Sequence, residues 1–132
     1  MPNITGAHHL ALTVTNVERS AAWYRDLLGL VSVFDGSDDA VTFQVLAHPH
    51  SGWVMGVRQY TAGSGDRFDE FRTGLDHLAF GVSSREELDD WQQELDQRGI
   101  SFTPAAETPI GTVVVFRDPD NIQLEFWLPA GT

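Results

Sequence analysis

The chain of 132 residues is long enough for one compact domain, and each half alone has the size at which a hydrophobic core is marginal. Its net charge of -11 opposes contact with phosphate backbones and anionic membranes, while the absence of cysteine excludes disulfide bonds and thiolate metal ligands. No apolar run of about 18 residues and no signal-peptide pattern is present, so we expect a cytoplasmic protein that binds neither nucleic acid nor membranes.

The first module opens with a strand and a helix. Residues 9–14 alternate in polarity, as in a strand with one face in the core, and His9 lies off the aliphatic face. Asn16 is a suitable N-cap for a helix through Leu28, and Gly29 supplies its end. The apolar stripe predicted for this helix comprises Val17, Ala21, Tyr24 and Leu28.

The second module repeats this order. A strand is predicted at residues 75–82, and Ser84 and Glu87 form a capping box at the start of a second helix. Gly99 ends that helix, whose predicted core residues are Leu88, Trp91 and Leu95. Three strand-like runs follow each helix and are separated by turn residues at 35–37, 48–52 and 118–121. The runs are residues 30–34, 40–46 and 52–60 in the first module, and 100–103, 111–117 and 122–128 in the second.

An internal repeat explains this common order. Residues 6–27 recur without a gap at residues 74–95. Chance is a poor explanation, because the matches include His and Trp, which are rare residue types. The matched pairs are Gly6/Gly74, His9/His77, Leu10/Leu78, Ala11/Ala79, Val14/Val82, Glu18/Glu86, Trp23/Trp91 and Leu27/Leu95. The duplication therefore carries a histidine, a potential metal ligand, in each copy.

The element order is β-α-β-β-β, twice, which predicts an α+β fold. We expect a single domain over residues 1–132, built from a first module at 4–60 and a second at 74–129. The polar, glycine-rich residues 61–73 are predicted to be a mobile connector or lid. They lack the spacing and the Gly-Lys-Ser/Thr ending of a phosphate-binding loop.

The last predicted strand places Glu125 beside Trp127, on the face that is not aliphatic. A glutamate near the end of a chain often faces only solvent. His9 and His77 occupy the same type of face, however, and this makes Glu125 a candidate partner for the two histidines.

Four motifs carry a resemblance to a known family: His9-Leu-Ala-Leu-Thr-Val, Trp23-Tyr-Arg-Asp-Leu-Leu-Gly-Leu, Gly74-Leu-Asp-His-Leu-Ala-Phe-Gly-Val and Phe116-Arg-Asp-Pro-Asp-Asn-Ile-Gln-Leu-Glu-Phe. They resemble the vicinal oxygen chelate superfamily, the group of glyoxalase I, extradiol dioxygenases, and fosfomycin and bleomycin resistance proteins. The resemblance covers nearly the whole chain. It implies that the paired modules form a cup of curled mixed sheets, with a metal at its base.

The resemblance also implies the metal ligands. Metal-dependent members take one ligand from the first strand and one from the last strand of each module, and His9, His77 and Glu125 match three of these four positions. Gly56 stands at the fourth, where glyoxalase I has another glutamate. Two histidines and one carboxylate are typical of Fe2+ enzymes, but Mn2+, Ni2+, Co2+ or Zn2+ could act there as a Lewis acid, so the metal stays open.

Four further residues are candidates for substrate binding. Arg58 and Tyr60 share a face, on which Arg58 could hold a substrate carboxylate, while Trp127 and Phe43 could form an apolar wall. Packing at a barrel rim explains these residue types equally well. No catalytic base is evident.

Three functions stay open: a metal-dependent enzyme, a metal-free drug- or metabolite-binding protein of the bleomycin-resistance type, and a metal-binding domain without catalysis. The enzyme would act on a small substrate chelated through adjacent oxygens, by dioxygenase, isomerase or lyase chemistry. The set of His9, His77 and Glu125 favours it. Because each half is small, we also expect a homodimer, with the modules paired within one chain or between two.

Overall fold

A computed structural model describes the whole chain, Met1–Thr132, and shows two compact units, Met1–Asp66 and Arg67–Thr132. Each unit contains a strand, a helix and three strands in the predicted order, which confirms the α+β fold class. The use of both units as a single functional domain stays a prediction. Neither helix, at 12 and 13 residues, is long enough to cross a membrane.

Unit 1 is one four-stranded sheet with one helix. Its sheet order is β1-β4-β3-β2, in which β1 runs parallel to β4 and the other neighbours are antiparallel. The elements are β1 (Leu10–Thr13), α1 (Val17–Leu28), β2 (Val31–Ser37), β3 (Val41–Ala47) and β4 (Val54–Tyr60).

Unit 2 has the same topology, with sheet order β5-β8-β7-β6 and a parallel pair formed by β5 and β8. Its elements are β5 (Leu78–Gly81), α2 (Arg85–Gln97), β6 (Phe102–Thr108), β7 (Gly111–Arg117) and β8 (Gln123–Pro129). The first strand of each unit therefore pairs with the last strand of the same unit, so these two strands hold their residues in a fixed register.

The helix ends follow the predicted capping residues. The side chain of Asn16 accepts a hydrogen bond from the Arg19 amide at 3.0 Å, and Gly29 ends α1 with a φ of 68°. One position of the predicted stripe is wrong, because Leu27 lies in the core and Leu28 is only half-buried. The buried face of α1 includes Ser20, which rotates it toward Leu27.

One predicted turn is also wrong. Residues 35–37 belong to β2, where Gly36 pairs with Phe43 of β3. A Cβ atom at Gly36 would lie 2.8 Å from the Phe43 ring, so the glycine makes room for this ring rather than for a chain reversal. The chain turns instead after Asp38, whose carboxylate accepts hydrogen bonds from the amides of Ala40 and Val41.

The core of unit 2 centres on Phe126 of β8. Its ring stacks on Trp91 of α2 with the centroids 4.3 Å apart, and on Phe116 of β7 at 4.8 Å. Leu88 and Leu95 of α2 are completely buried, as the apolar pattern predicts. The aromatic stack thus joins the helix to the last strand, which also carries Glu125.

Residues 67–70 lie within the predicted connector but are bonded to the β7–β8 turn. The amide of Phe68 donates to the Asp120 carbonyl at 2.8 Å, and Arg117 donates two hydrogen bonds to the Glu70 carboxylate at 2.9 and 3.0 Å. The second half of the predicted connector is therefore part of unit 2. The bidentate contact with Arg117 lowers the pKa of Glu70 to about 2.

Replacing Glu70 by Gln is expected to weaken the acid sensitivity of folding. The folded pKa of Glu70 lies below its ordinary value of 4.5, so its stabilising contribution is complete above that value and is lost as the pH falls toward about 2. Urea unfolding midpoints of both proteins at about pH 6 and about pH 3 measure this, and the gap between them should narrow at the lower pH. Glu107→Gln, which changes an exposed carboxylate, is the control. An equal gap at both pH values would contradict the prediction.

Candidate metal centre

Unit 2 brings two of the predicted metal ligands together. His77 immediately precedes β5, and its Nε2 lies 3.5 Å from Oε2 of Glu125. The register explains this placement, because Ala79 pairs with Glu125, and His77 lies two residues before Ala79 on the same face of the sheet. Glu125 is only 13 % exposed, and His77 is its one polar neighbour in the protein.

The other ring nitrogen of His77 is engaged by Asp76. Oδ1 of Asp76 lies 2.6 Å from Nδ1 of His77, and the amide of Gln123 donates to the same carboxylate oxygen at 3.2 Å. Neither Asp76 nor Gln123 was among the predicted site residues. Their sequence signal is weak: Asp76 is simply the neighbour of His77, and Gln123 shares a strand face with Glu125.

Unit 1 contains the corresponding frame without the carboxylate. Ala11 pairs with Gly56 across the parallel strands β1 and β4, in the same way that Ala79 pairs with Glu125. Gly56 is therefore the structural counterpart of Glu125, as the sequence alignment predicts. His9 is exposed, and its Nδ1 lies 2.8 Å from Nδ1 of His8.

Three predicted substrate-binding residues form a cluster in unit 1. Arg58 donates from Nε to the Tyr60 hydroxyl at 3.1 Å, and its guanidinium carbon lies 4.9 Å from the centre of the Phe43 ring. The terminal nitrogens of Arg58 make no hydrogen bond to the protein, so they remain available to an anion. Trp127 lies in unit 2, where its half-buried indole covers Gly111.

The residues in unit 2 fit part of a metal site. With Nδ1 of His77 bonded to Asp76, the Nε2 lone pair and the Glu125 carboxylate face each other, and a divalent cation is a suitable partner for both. No group of three or more His, Asp or Glu side chains is arranged to hold a metal ion. The structure thus brings together His77 and Glu125, while the third predicted ligand, His9, belongs to unit 1.

Comparison with known proteins decides the family. A family model described as the glyoxalase/bleomycin resistance protein/dioxygenase superfamily matches residues 6–126, which is most of the chain. The chain belongs to this superfamily. A member domain from Frankia sp. EAN1pec, described as a glyoxylase/bleomycin resistance protein/dioxygenase domain, is 38% identical, with a TM-score of 0.88 over 96% of this chain and 99% of that one.

Two other relatives carry metal or ligand information of their own. A manganese-dependent 2,3-dihydroxybiphenyl 1,2-dioxygenase from Geobacillus genomosp. 3 is 25% identical over 90% of this chain, which spans only 35% of that enzyme. The fosfomycin resistance protein FosX from Listeria monocytogenes, complexed with Mn(II) and 1S,2S-dihydroxypropylphosphonic acid, has a TM-score of 0.72 at 21% identity and covers 98% of this chain and 93% of that one. The second likeness shows the fold alone.

Membership of the superfamily confirms the resemblance seen in the four sequence motifs. The closing motif from Phe116 to Phe126 now has a structural explanation, because it contains the end of β7, a tight turn and most of β8. Oδ1 of Asp118 accepts hydrogen bonds from the amides of Asp120 and Ile122, both at 2.8 Å. This turn fixes the start of β8 and hence the position of Glu125.

Proposed function

We propose that the chain is a metal-dependent enzyme of the superfamily, with His77, Glu125 and His9 as ligands to a divalent metal ion. The observation that carries the proposal is the approach of His77 Nε2 to Glu125 Oε2, at 3.5 Å, with Nδ1 of the same ring occupied by Asp76. His9 enters through the internal repeat, in which it corresponds to His77. The manganese dependence of the dioxygenase relative supports a divalent ion.

The proposed substrate is a small molecule that chelates through two adjacent oxygens. When bound, a divalent ion held by two histidines and one carboxylate supplies Lewis acidity and leaves coordination positions for substrate oxygens. Asp76 holds the Nδ1 proton of His77, and the aromatic stack around Phe126 holds the strand that carries Glu125. These contacts position the two ligands before any metal arrives.

Arg58 is proposed to bind an anionic group of the substrate. Phe43 and Tyr60 hold its guanidinium from two sides, which leaves the terminal nitrogens free for a bidentate contact with a carboxylate. Trp127 is proposed to supply an apolar wall. We also propose that the protein acts as a homodimer.

The same cluster supports a second candidate function. Arg58 with two aromatic neighbours can bind an anionic aromatic molecule without any metal, and Gly56 removes one of the four ligand positions. A metal-free binding protein of the bleomycin-resistance type would use the chain in this way.

Metal analysis of protein purified without oxygen separates the two functions. We expect a stoichiometric divalent metal and, after reconstitution with Fe2+ or Mn2+, oxygen uptake on a panel of catechols if the chemistry is dioxygenation. Bound Ni2+, Co2+ or Zn2+ without oxygen uptake would indicate isomerase or lyase chemistry instead. Failure to bind any of these metals would contradict the metal-dependent proposal and leave the binding function.

A further inference from the structure

We infer that Asp76 and Gln123 are positioning residues that fix the tautomer of His77. They hold its proton on Nδ1, so that Nε2 presents a lone pair toward Glu125. The inference concerns the polarity of a hydrogen-bonded chain inside unit 2, and its role in metal binding rests on the proposed function. The chain begins at Arg117 and ends at His77.

Arg117 fixes the orientation of the Gln123 amide. A guanidinium has only donors, and Nη2 of Arg117 lies 3.1 Å from Oε1 of Gln123. The amide oxygen must therefore face Arg117, which turns the amide nitrogen toward Asp76. The two bonds from Arg117 to Glu70 hold the guanidinium itself in place.

The amide nitrogen of Gln123 then donates to Asp76 at two points. It lies 3.2 Å from Oδ1 and 3.2 Å from the backbone carbonyl oxygen of Asp76. An ionised carboxylate only accepts hydrogen bonds, so the contact of 2.6 Å between Oδ1 and His77 Nδ1 requires that the imidazole donates. The direction of every bond in the chain is set by the first donor, Arg117.

The consequence falls on the far side of the ring. A neutral imidazole that carries its proton on Nδ1 has an unprotonated Nε2, the atom that faces Glu125. Two acceptors then face each other across 3.5 Å, which is unfavourable without a cation between them. The chain of bonds thus prepares the pair to bind a metal.

Unit 1 offers an internal comparison. His8 occupies the position that matches Asp76 in the repeat, and its Nδ1 contacts Nδ1 of His9 at 2.8 Å. Unlike a carboxylate, an imidazole can either donate or accept, so this contact does not dictate which ring carries the proton. The tautomer of His9 is therefore free where that of His77 is fixed.

Long-range 1H–15N correlation NMR of the metal-free protein in alkaline buffer reads the tautomer directly, because protonated and bare ring nitrogens have well-separated shifts. In the wild-type chain His77 should carry its proton on Nδ1. Asp76→Ala should move the proton predominantly to Nε2, and Gln123→Met should produce a mixture. The control Asp90→Ala removes an exposed carboxylate of α2 and should leave the His77 signals unchanged.

Titration with Mn2+ provides the second measurement. Asp76→Ala should weaken binding by about tenfold, since the loss of an outer carboxylate that orients a ligating histidine costs roughly 10- to 100-fold and Asp76 is 67 % exposed. A wild-type His77 protonated on Nε2 overturns the inference, as does an Asp76→Ala protein that is folded by circular dichroism and keeps the Nδ1 proton. If Asp76→Ala does not fold, an unchanged tautomer in Gln123→Met overturns it. A fixed Nδ1 tautomer in a wild-type chain that binds no Mn2+ contradicts the proposed function instead.

Discussion

Phe126→Ala is expected to destabilise unit 2 by about 3–5 kcal/mol, the usual cost of removing a buried phenylalanine ring. Phe126 is only 1% exposed and lies between the rings of Trp91 and Phe116, so the variant loses both stacking contacts and leaves a cavity. Since domains of this size have a total stability of roughly 5–15 kcal/mol, the loss is a large fraction of the whole. Urea unfolding, followed by the fluorescence of Trp91 and the other tryptophans, measures it.

Two matched variants separate the stacking from general effects of substitution. Phe71 belongs to the same unit but is 93% exposed, so Phe71→Ala should change stability by less than about 0.5 kcal/mol. Phe126→Leu keeps much of the apolar volume and should lie between these two. A loss in Phe126→Ala no greater than that in Phe71→Ala would show that the aromatic stack does not hold α2 against β8.

The repeated elements were predictable because their signals are local. Caps such as Asn16 and Ser84 act on the amides two or three residues away, and the alternation around Glu125 follows from the two-residue period of a strand. The duplication strengthens these signals, because each module predicts the other. The equivalence of Gly56 and Glu125 follows from this logic and agrees with the register in both units.

The features that sequence reasoning missed depend on contacts across strands. Gly36 has the composition of a turn residue, but its position is decided by the ring of Phe43 on the neighbouring strand. The bonds that lead from Arg117 through Gln123 to Asp76 join residues up to 47 positions apart, and no local pattern encodes them. Sequence reasoning therefore found the ligands in unit 2 but not the groups that orient them.

The correspondence between the two units gives Glu125 a specific meaning. Both units have a histidine two residues before the alanine that pairs with the last strand, but only unit 2 has a carboxylate opposite that alanine. If metal binding depends on this carboxylate, its removal should abolish tight binding, and a carboxylate supplied at Gly56 should strengthen it. The two changes test one geometric relation from opposite directions.

Glu125→Gln is expected to weaken Mn2+ binding by at least about 100-fold, because it removes a charged ligand, whereas changes to outer-shell groups alone cost roughly 10- to 100-fold. The amide of glutamine keeps the size of the side chain, so the fold should be retained. Isothermal titration with Mn2+ measures the affinity. Glu107→Gln makes the same change of charge at an exposed position of unit 2 and should bind as the wild type does. Equal affinities in the two variants would exclude Glu125 as a ligand.

Gly56→Glu is the reciprocal arm of the same experiment. A Cβ atom at Gly56 would lie 3.4 Å from Cβ of Ala11, which is ordinary contact, so the new side chain can enter without moving the backbone. It would stand to His9 as Glu125 stands to His77, and the added charge should lower the dissociation constant for Mn2+ about tenfold. The gain should disappear when His9→Ala is combined with Gly56→Glu. A gain that survives the loss of His9 would mean that the new carboxylate binds metal elsewhere, and His9 would then have no place in the ligand set.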